Sequence, residues 1–494
     1  MRIGLRMNKN VCWLVIAATV FISGCNLAPK YARPKPPVPE AWPTGAAYED
    51  ETSAGDISAA ADLAWPEFFA DPNLRQVIAI ALENNRDLRL AALNVERARA
   101  LYGVQRAELL PQVYATGVGS KQRSSADLTA PGQPRTTELY SVDLGIISWQ
   151  IDFFGLLRNL EEQALQEYLA TEQARRSAQI ALISEVARVY LTLAADRQNL
   201  KLAQSTLETQ QGVYNLVLRQ YEANLANEMD LRRSQTQVDA ARGQVALYTQ
   251  LVAQAENALN LLTGVPTPED LLPSDLAGVR PPKGISPGVS SEVLLLRPDI
   301  MAAEHQLEGA YAFVGAARAA FFPRISLTSA IGTASDDLSG LFRAGTGTWA
   351  FTPQVMLPIF DARTWGAHRV SKAAQQIALA QYEKTIQTAF REVADTLAVR
   401  GTVGRQVEAQ EAVVDSAQTI YDLSLKRYTN GIDSYLNVLD AQRSLYAAQQ
   451  GLIALHLAAM VSEVRLYAVL GGGADYPQAA ENSAAQQVSL LAEH

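Results

Sequence analysis

The sequence predicts a mainly α protein with a membrane β-barrel portion, built from a duplicated helix–strand–strand–long helix–helix unit. Three observations predict it. First, the chain repeats itself. Asp87 to Pro111 aligns without a gap on Asp299 to Pro323, which places Glu96 on Glu308, Arg106 on Arg318 and Pro111 on Pro323. Farther on, at an offset of 207, Glu185-Val186-Ala187 matches Glu392-Val393-Ala394, Tyr221 matches Tyr428, and Gly264 matches Gly471. A period near 210 is far longer than the roughly 20–50 residues of solenoid repeats, so each unit is a whole subdomain. Second, proline is absent from Leu156 to Gly264 and again from Ala362 to Gly473, and both stretches are dense in good helix formers. Third, four runs alternate apolar and polar residues over the ~9–11 positions that a tilted strand needs to cross a bilayer.

Composition sets the outer limits. The chain has 494 residues, 42 Lys+Arg against 51 Asp+Glu, and a mean hydropathy of −0.03. The net charge of −9 disfavours a nucleic-acid partner, whose phosphates demand clustered cations. Two cysteines exclude a disulfide framework, and His305, His368, His456 and His494 share no metal-ligand spacing. No H-E-x-x-H, phosphate-loop or nucleophile-elbow pattern occurs. The chain is therefore read as no enzyme and as needing no cofactor. After residue 24, no apolar stretch approaches the roughly 20 residues of a spanning helix.

From the N-terminus, Arg2, Arg6 and Lys9 precede the apolar run Val11 to Val20, as in a signal peptide; Met7 is an alternative start. The run ends in Ile22-Ser23-Gly24-Cys25, which resembles the lipobox of bacterial lipoproteins, with Cys25 as the acylated first residue. Residues 1–24 are read as signal peptide and 25–70 as lipidated tether and equatorial segment. Asn at position 26, rather than Asp, favours the outer membrane by resemblance to lipoprotein sorting. Pro29, Pro34, Pro36, Pro37, Pro39 and Pro43 predict an extended, semi-rigid stretch. Repeat 1 covers 71–264, opening on the helix start Asp71-Pro72. Its strands are expected at about 111–122 and 138–151, a helix of about 96 Å at ~1.5 Å per residue over 156–219, and a hinge at 221–230. A Pro/Gly-rich linker follows at 265–296. Repeat 2 covers 297–473, with strands about 323–335 and 348–360, a long helix about 365–427 and a hinge at 428–437. A polar tail, 474–494, ends the chain.

In the strands, Tyr140, Val142, Leu144 and Ile146 alternate with Ser141, Asp143 and Gly145, and Trp349, Phe351, Val355, Leu357 and Ile359 form an outward set. Trp149 and Trp349 suit interfacial aromatic girdles, and 121–137 and 334–347 have the composition of extracellular loops. Four strands cannot close a barrel, and a bilayer tolerates no open sheet edge. A membrane barrel from this chain must therefore be assembled from several copies. A half-buried soluble sheet, with the helices in a coiled-coil rod, is the competing reading.

These residues resemble the TolC-like outer-membrane efflux factors, in particular the NodT-type lipoprotein subfamily. The resemblance rests on Gly24-Cys25, Asp71-Pro72-Asn73-Leu74, Leu296-Arg297-Pro298-Asp299-Ile300, Phe322-Pro323-Arg324-Ile325, and Arg427-Tyr428 with Gly431 and Val438-Leu439-Asp440-Ala441. It implies a homotrimer whose 12-stranded β-barrel sits on a long α-helical periplasmic barrel. Such a protein is lipid-anchored in the cell outer membrane. It works as a passive exit duct of a tripartite pump, with a periplasmic adaptor (a membrane fusion protein) and an inner-membrane RND-type transporter, and serves multidrug resistance. By the same resemblance the hinges form the periplasmic tip, where Tyr221, Asn224, Leu225, Tyr428, Gly431 and Ile432 are adaptor-docking candidates. Asp230 and Asp440 match the family's tip carboxylates; with Asp433 they are the gate and selectivity candidates. Asp433 and Asn437 depart from charged positions of some relatives, which questions a salt-bridge lock. Asp230 and Asp440 also suit helix N-termini through the dipole. A pore-less periplasmic coiled-coil lipoprotein, or an exit duct for type I protein secretion, remains as the alternative, and the cargo is not legible.

Overall fold

The computed structural model describes residues 26–48, 63–285 and 291–473. The signal peptide, Cys25 and the tail 474–494 lie outside the described residues. The helices are α1 (Trp65–Phe68), α2 (Pro72–Asn84), α3 (Arg86–Ala107), α4 (Leu156–Glu222), α5 (Glu228–Thr263), α6 (Pro298–Ala319), α7 (Ala362–Thr429) and α8 (Tyr435–Val469). The strands are β1 (Val113–Arg123), β2 (Thr136–Ile151), β3 (Arg324–Ser335) and β4 (Gly347–Met356). Duplication is visible in the lengths: α3 and α6 have 22 residues each, α4 and α7 have 67 and 68, and α5 and α8 have 36 and 35.

Helix starts follow local chemistry. The Asp71 carboxylate accepts the Leu74 N–H at 2.9 Å, and Pro72, at a position with no intrahelical donor role, opens α2. Asn85 does the same for α3, accepting from Leu88 N at 2.9 Å, while its Nδ2 donates to the Leu262 carbonyl at 2.9 Å.

The chain divides into two compact units. One gathers residues up to Lys35, 94–171 and 302–382; the other gathers 36–93, 172–301 and the remainder from 383. The first contains a four-stranded antiparallel sheet in the order β1-β2-β3-β4. Its register sorts most side chains by polarity, although Tyr114, Val118 and Leu139 fall on the polar face and Lys121 and Glu138 on the apolar one. Val142, Leu144 and Ile146 lie opposite Thr333, Ile331 and Ser329, and Ile331 lies opposite Trp349, so one face is apolar. Thr116, Asp143, Gly332 and Thr348 align across the other, polar face. Between Ile146 and Trp149 the register slips: Ile147 and Ser148 together oppose Thr328. Ser148 takes φ +52° and donates its N–H to Thr328 Oγ1 at 3.1 Å. This bulge reverses the parity of β2, so that Trp149 and Ile151 join the apolar face with Leu327 and Ile325.

Three expectations change here. Leu357 and Ile359 lie beyond β4, which stops at Met356 before Pro358, a residue that cannot donate to the ladder. The first loop shortens to 124–135, because pairing continues through Lys121–Glu138, also an ion pair, to Arg123–Thr136. Windows in α4 and α8 prove apolar enough by length and composition to cross a bilayer, and in α4 that window is 61% buried within the protein.

In the first unit the segment after Asn26 is pinned to α6. Tyr31 donates to Glu304 Oε1 at 2.8 Å, Arg33 grips both Glu304 oxygens at 2.6 and 2.7 Å, and Arg318 donates to the Leu27 carbonyl at 3.2 Å. In the second unit Phe68 stacks on Tyr467 at 4.0 Å, and the Tyr467 hydroxyl reaches the Leu63 carbonyl at 2.6 Å. Arg297 there donates to Asp299, to Glu392 at 3.0 Å and to the Val469 carbonyl at 2.7 Å. The Arg-Pro-Asp segment is thus a structural clasp on α7 and the end of α8.

Candidate functional site at the two helical hinges

Both hinges lie in the second unit, and both end their long helix in the same way. Asn224 (φ +60°) and Gly431 (φ +70°) adopt the left-handed conformation that terminates a helix. Behind each, an amide reaches back over the turn: Leu225 N–H to the Gln220 carbonyl at 2.7 Å, and Ile432 N–H to the Arg427 carbonyl at 2.9 Å. Glycine takes this φ at no steric cost, whereas in repeat 1 an asparagine serves. The following helices start differently. Asn227 caps α5 by accepting the Asp230 N–H at 2.9 Å, but Ser434, before α8, makes no side-chain cap bond.

An apolar cluster holds the hinges together. Val213 and Val217 from α4 meet Tyr435, Val438 and Leu439 from α8, with Tyr421, Leu425 and Tyr428 against them. The Tyr428 and Tyr435 rings stand 5.3 Å apart, and the Tyr428 hydroxyl donates to Gln220 Oε1 at 2.9 Å. Burial, then the nearby Asp230 carboxylate, push the Tyr428 hydroxyl above its ordinary pKa.

The carboxylates occupy three distinct settings. Asp433 is gripped by Arg427 across the turn, Nε to Oδ2 at 2.6 Å, and that bond holds its carboxyl below the usual range. A free Asp433 gate carboxylate is therefore not what the fold presents. Asp230 is the third residue of α5, 3.5 Å from Arg233, where the helix dipole favours an anion. Asp440 is the sixth residue of α8, beyond the first turn, so the dipole reading does not extend to it. It is exposed, and has no hydrogen-bond or ion-pair partner among the described residues.

Tyr221 and Leu225 are solvent-exposed, Leu225 at 80%, and Ile432 stands out at 61%. Two residues that sequence reasoning passed over belong with them: Met229 and Leu436, also exposed. They follow Leu225 and Ile432 by four positions and coincide under the offset of 207, which was the available signal. Among the described residues no group of His, Cys, Asp and Glu is placed to hold a metal.

The family model described as outer membrane efflux protein matches residues 77–265 and 289–472. The chain is 48% identical over 468 residues to TtgF, a toluene efflux pump outer membrane protein of Pseudomonas putida, covering 94% of this chain and 97% of that one. It is 40% identical over 465 residues to the outer membrane protein OprJ of Pseudomonas aeruginosa, covering 94% and 95%. Among solved structures it resembles the open state of the MtrE outer membrane channel of Neisseria gonorrhoeae, with a TM-score of 0.81, 38% identity and coverage of 91% and 98%. Two long stretches matched by one family model, one in each repeat, together with this fold, make the chain a member of the outer membrane efflux protein family.

Proposed function

We propose that this chain is the outer-membrane exit duct of a tripartite efflux pump, a passive channel rather than an enzyme, with three copies closing a 12-stranded barrel. The observation that carries this reading is the sheet: one mainly apolar face, one mainly polar face, and two open edges, β1 and β4. Such edges require further copies in a bilayer. A polar lumen needs no catalytic group, because an inner-membrane RND-type transporter supplies the energy through a periplasmic adaptor. The adaptor docks on the exposed apolar pairs Leu225/Met229 and Ile432/Leu436 beside Tyr221 and Tyr428. Asn224 and Gly431 set the turns that present them.

Cys25 carries the lipid. Two residues on, Leu27 is tied to Arg318, six positions before β3 begins at Arg324, which supports an anchor close to the strand roots. Asp230 and Asp440, recurring in each copy, form acidic rings that favour cations. Relatives named for toluene, solvent and antibiotic efflux support small organic molecules as cargo.

Bilayer recording of the full-length protein tests the reading. Conductance from a detergent-extracted trimer is expected, and Asp440→Ala should raise single-channel conductance and lower cation preference. Unchanged recordings for Asp440→Ala would remove the gate role from that residue. A monomer without conductance would instead favour the coiled-coil lipoprotein.

A further inference from the structure

The helix pairs that flank the two strand pairs are alike in fold and unlike in charge. In repeat 1, Arg106 near the end of α3 faces Glu161 of α4 at 4.0 Å, and Glu162 comes next. The internal repeat sets Arg318 of α6 on Arg106, and its offset of 207 sets His368 and Arg369 of α7 on Glu161 and Glu162. Lys372 stands where repeat 1 has Leu165. Both carboxylates of the first pair are thus replaced in the second, by an imidazole and a guanidinium.

No described side chain answers this charge. Arg318 donates to the Leu27 carbonyl at 3.2 Å. Arg369 and Lys372 are exposed and have no ion-pair or hydrogen-bond partner among the described residues. Burial first, then Lys372 and Arg318, lower the pKa of His368, so the imidazole is neutral and its charged neighbours are cations.

Trp365, Arg369 and Lys372 follow one another by four and three positions, which puts them on one face of α7. Trp365 is 65% exposed, and its ring packs edge-on to Phe321 at 5.1 Å. Ahead of it, Leu357, Ile359 and Phe360, between β4 and α7, are exposed too. The chain therefore runs from apolar through aromatic to cationic, the order met on leaving a hydrocarbon layer for water. From Trp365 to Lys372 is about 10 Å at ~1.5 Å per residue. That is of the order of the roughly 5–8 Å headgroup layer on each side of the hydrocarbon.

We propose that Arg318, Arg369 and Lys372 hold the phosphate of an anionic phospholipid in the periplasm-facing leaflet, with Trp365 against its glycerol and upper acyl chain. The proposal rests on the lipid anchor and outer-membrane placement of the function above. Cys25 lies two residues from Leu27, at most about 7 Å of chain, and Leu27 is tied to Arg318. Anchor and cations therefore reach the same leaflet. A phosphodiester supplies the acceptor oxygens that Arg and Lys lack here, in charge-assisted bonds. The equivalent place in repeat 1 repels it through Glu161 and Glu162.

The test uses full-length protein extracted in mild detergent and exchanged against phosphatidylglycerol or phosphatidylcholine, with bound lipid counted by native mass. About tenfold more phosphatidylglycerol than phosphatidylcholine is expected on the unmodified trimer. Arg369→Gln with Lys372→Gln should remove that preference and leave the trimer intact, whereas Arg369→Lys with Lys372→Arg should keep it. Equal retention of the two lipids, or a preference that survives the glutamine pair, overturns the proposal. Displacement of the lipid by millimolar inorganic phosphate would overturn it in favour of a simple anion site. Loss of the trimer in the glutamine pair would overturn it by assigning the cations to a neighbouring copy. The mass of the mature N-terminus separates this from the reading beneath it. An unacylated Cys25 overturns the anchor and the depth argument together, while an acylated one without lipid preference overturns only the phosphate site.

Discussion

The Tyr428 hydroxyl donates to Gln220 Oε1 at 2.9 Å, and so bridges the hinge of repeat 2 to the hinge of repeat 1. Gln220 is also the residue whose carbonyl closes the repeat-1 turn by accepting from Leu225. One side chain thus couples both helix ends. Tyr428→Phe keeps the ring against Tyr435 and removes only this bond, worth about 1 kcal/mol. If the hinges close the channel, the open fraction should rise about fivefold, that being the equilibrium equivalent of such a loss. Single-channel recordings with unchanged open probability would detach this bond from gating.

Tyr435 offers the opposite case. It is 2% exposed, and its hydroxyl has no hydrogen-bond partner among the described residues. Burial pushes its pKa up and keeps it neutral, but the desolvated O–H remains uncompensated. Tyr435→Phe should therefore stabilise the hinge cluster, by about 1–2 kcal/mol if no water replaces the missing partner. Thermal unfolding in detergent is the check, and a lower midpoint for the variant would reveal a partner from another copy.

Glu308 supplies a pH dependence. Burial first, then the neighbouring Glu304 and Glu162 carboxylates, raise its pKa; Arg33 opposes them, and His305 Nδ1 stands 3.8 Å away. A carboxylate raised on folding contributes stability below its unfolded pKa and loses that contribution as pH rises through the folded value. At neutral pH the ionised group is thus a burden. Glu308→Gln should raise the unfolding midpoint at pH 7, and the gain should vanish toward pH 4. A gain independent of pH would mean that the amide acts through some contact other than relief of charge.

What the sequence disclosed depended on whether the signal was periodic. The long helices announced themselves because a proline-free run of good helix formers has few other outcomes. Gly431 and Asn224 were legible as helix stops because few residues accept a positive φ. The bulge at Ser148 was not: Ile146-Ile147 puts two apolar residues side by side, and either phase of alternation fits locally until β3 supplies the register. The Arg427–Asp433 pair was hidden too, since six residues apart is no helical neighbour distance and only the left-handed turn at Gly431 brings the two together.

That bulge makes the apolar face testable by counting. Ile147 and Ser148 share one partner, Thr328, so Ile146 and Trp149 point to the same side. Deleting Ser148 leaves Ile147 alone opposite Thr328 and keeps Trp149 opposite Leu327, on the apolar face. It also removes a non-glycine residue from positive φ, a strain of about 1 kcal/mol or more. Deleting both Ile147 and Ser148 moves Trp149 opposite Thr328 and turns Trp149 and Ile151 toward the polar face. The single deletion should therefore still yield a heat-labile oligomer in the outer-membrane fraction, and the double deletion should not. Equal assembly of both would mean that β2 slides to restore its own face, and that the bulge is not what aligns Trp149 with the membrane side.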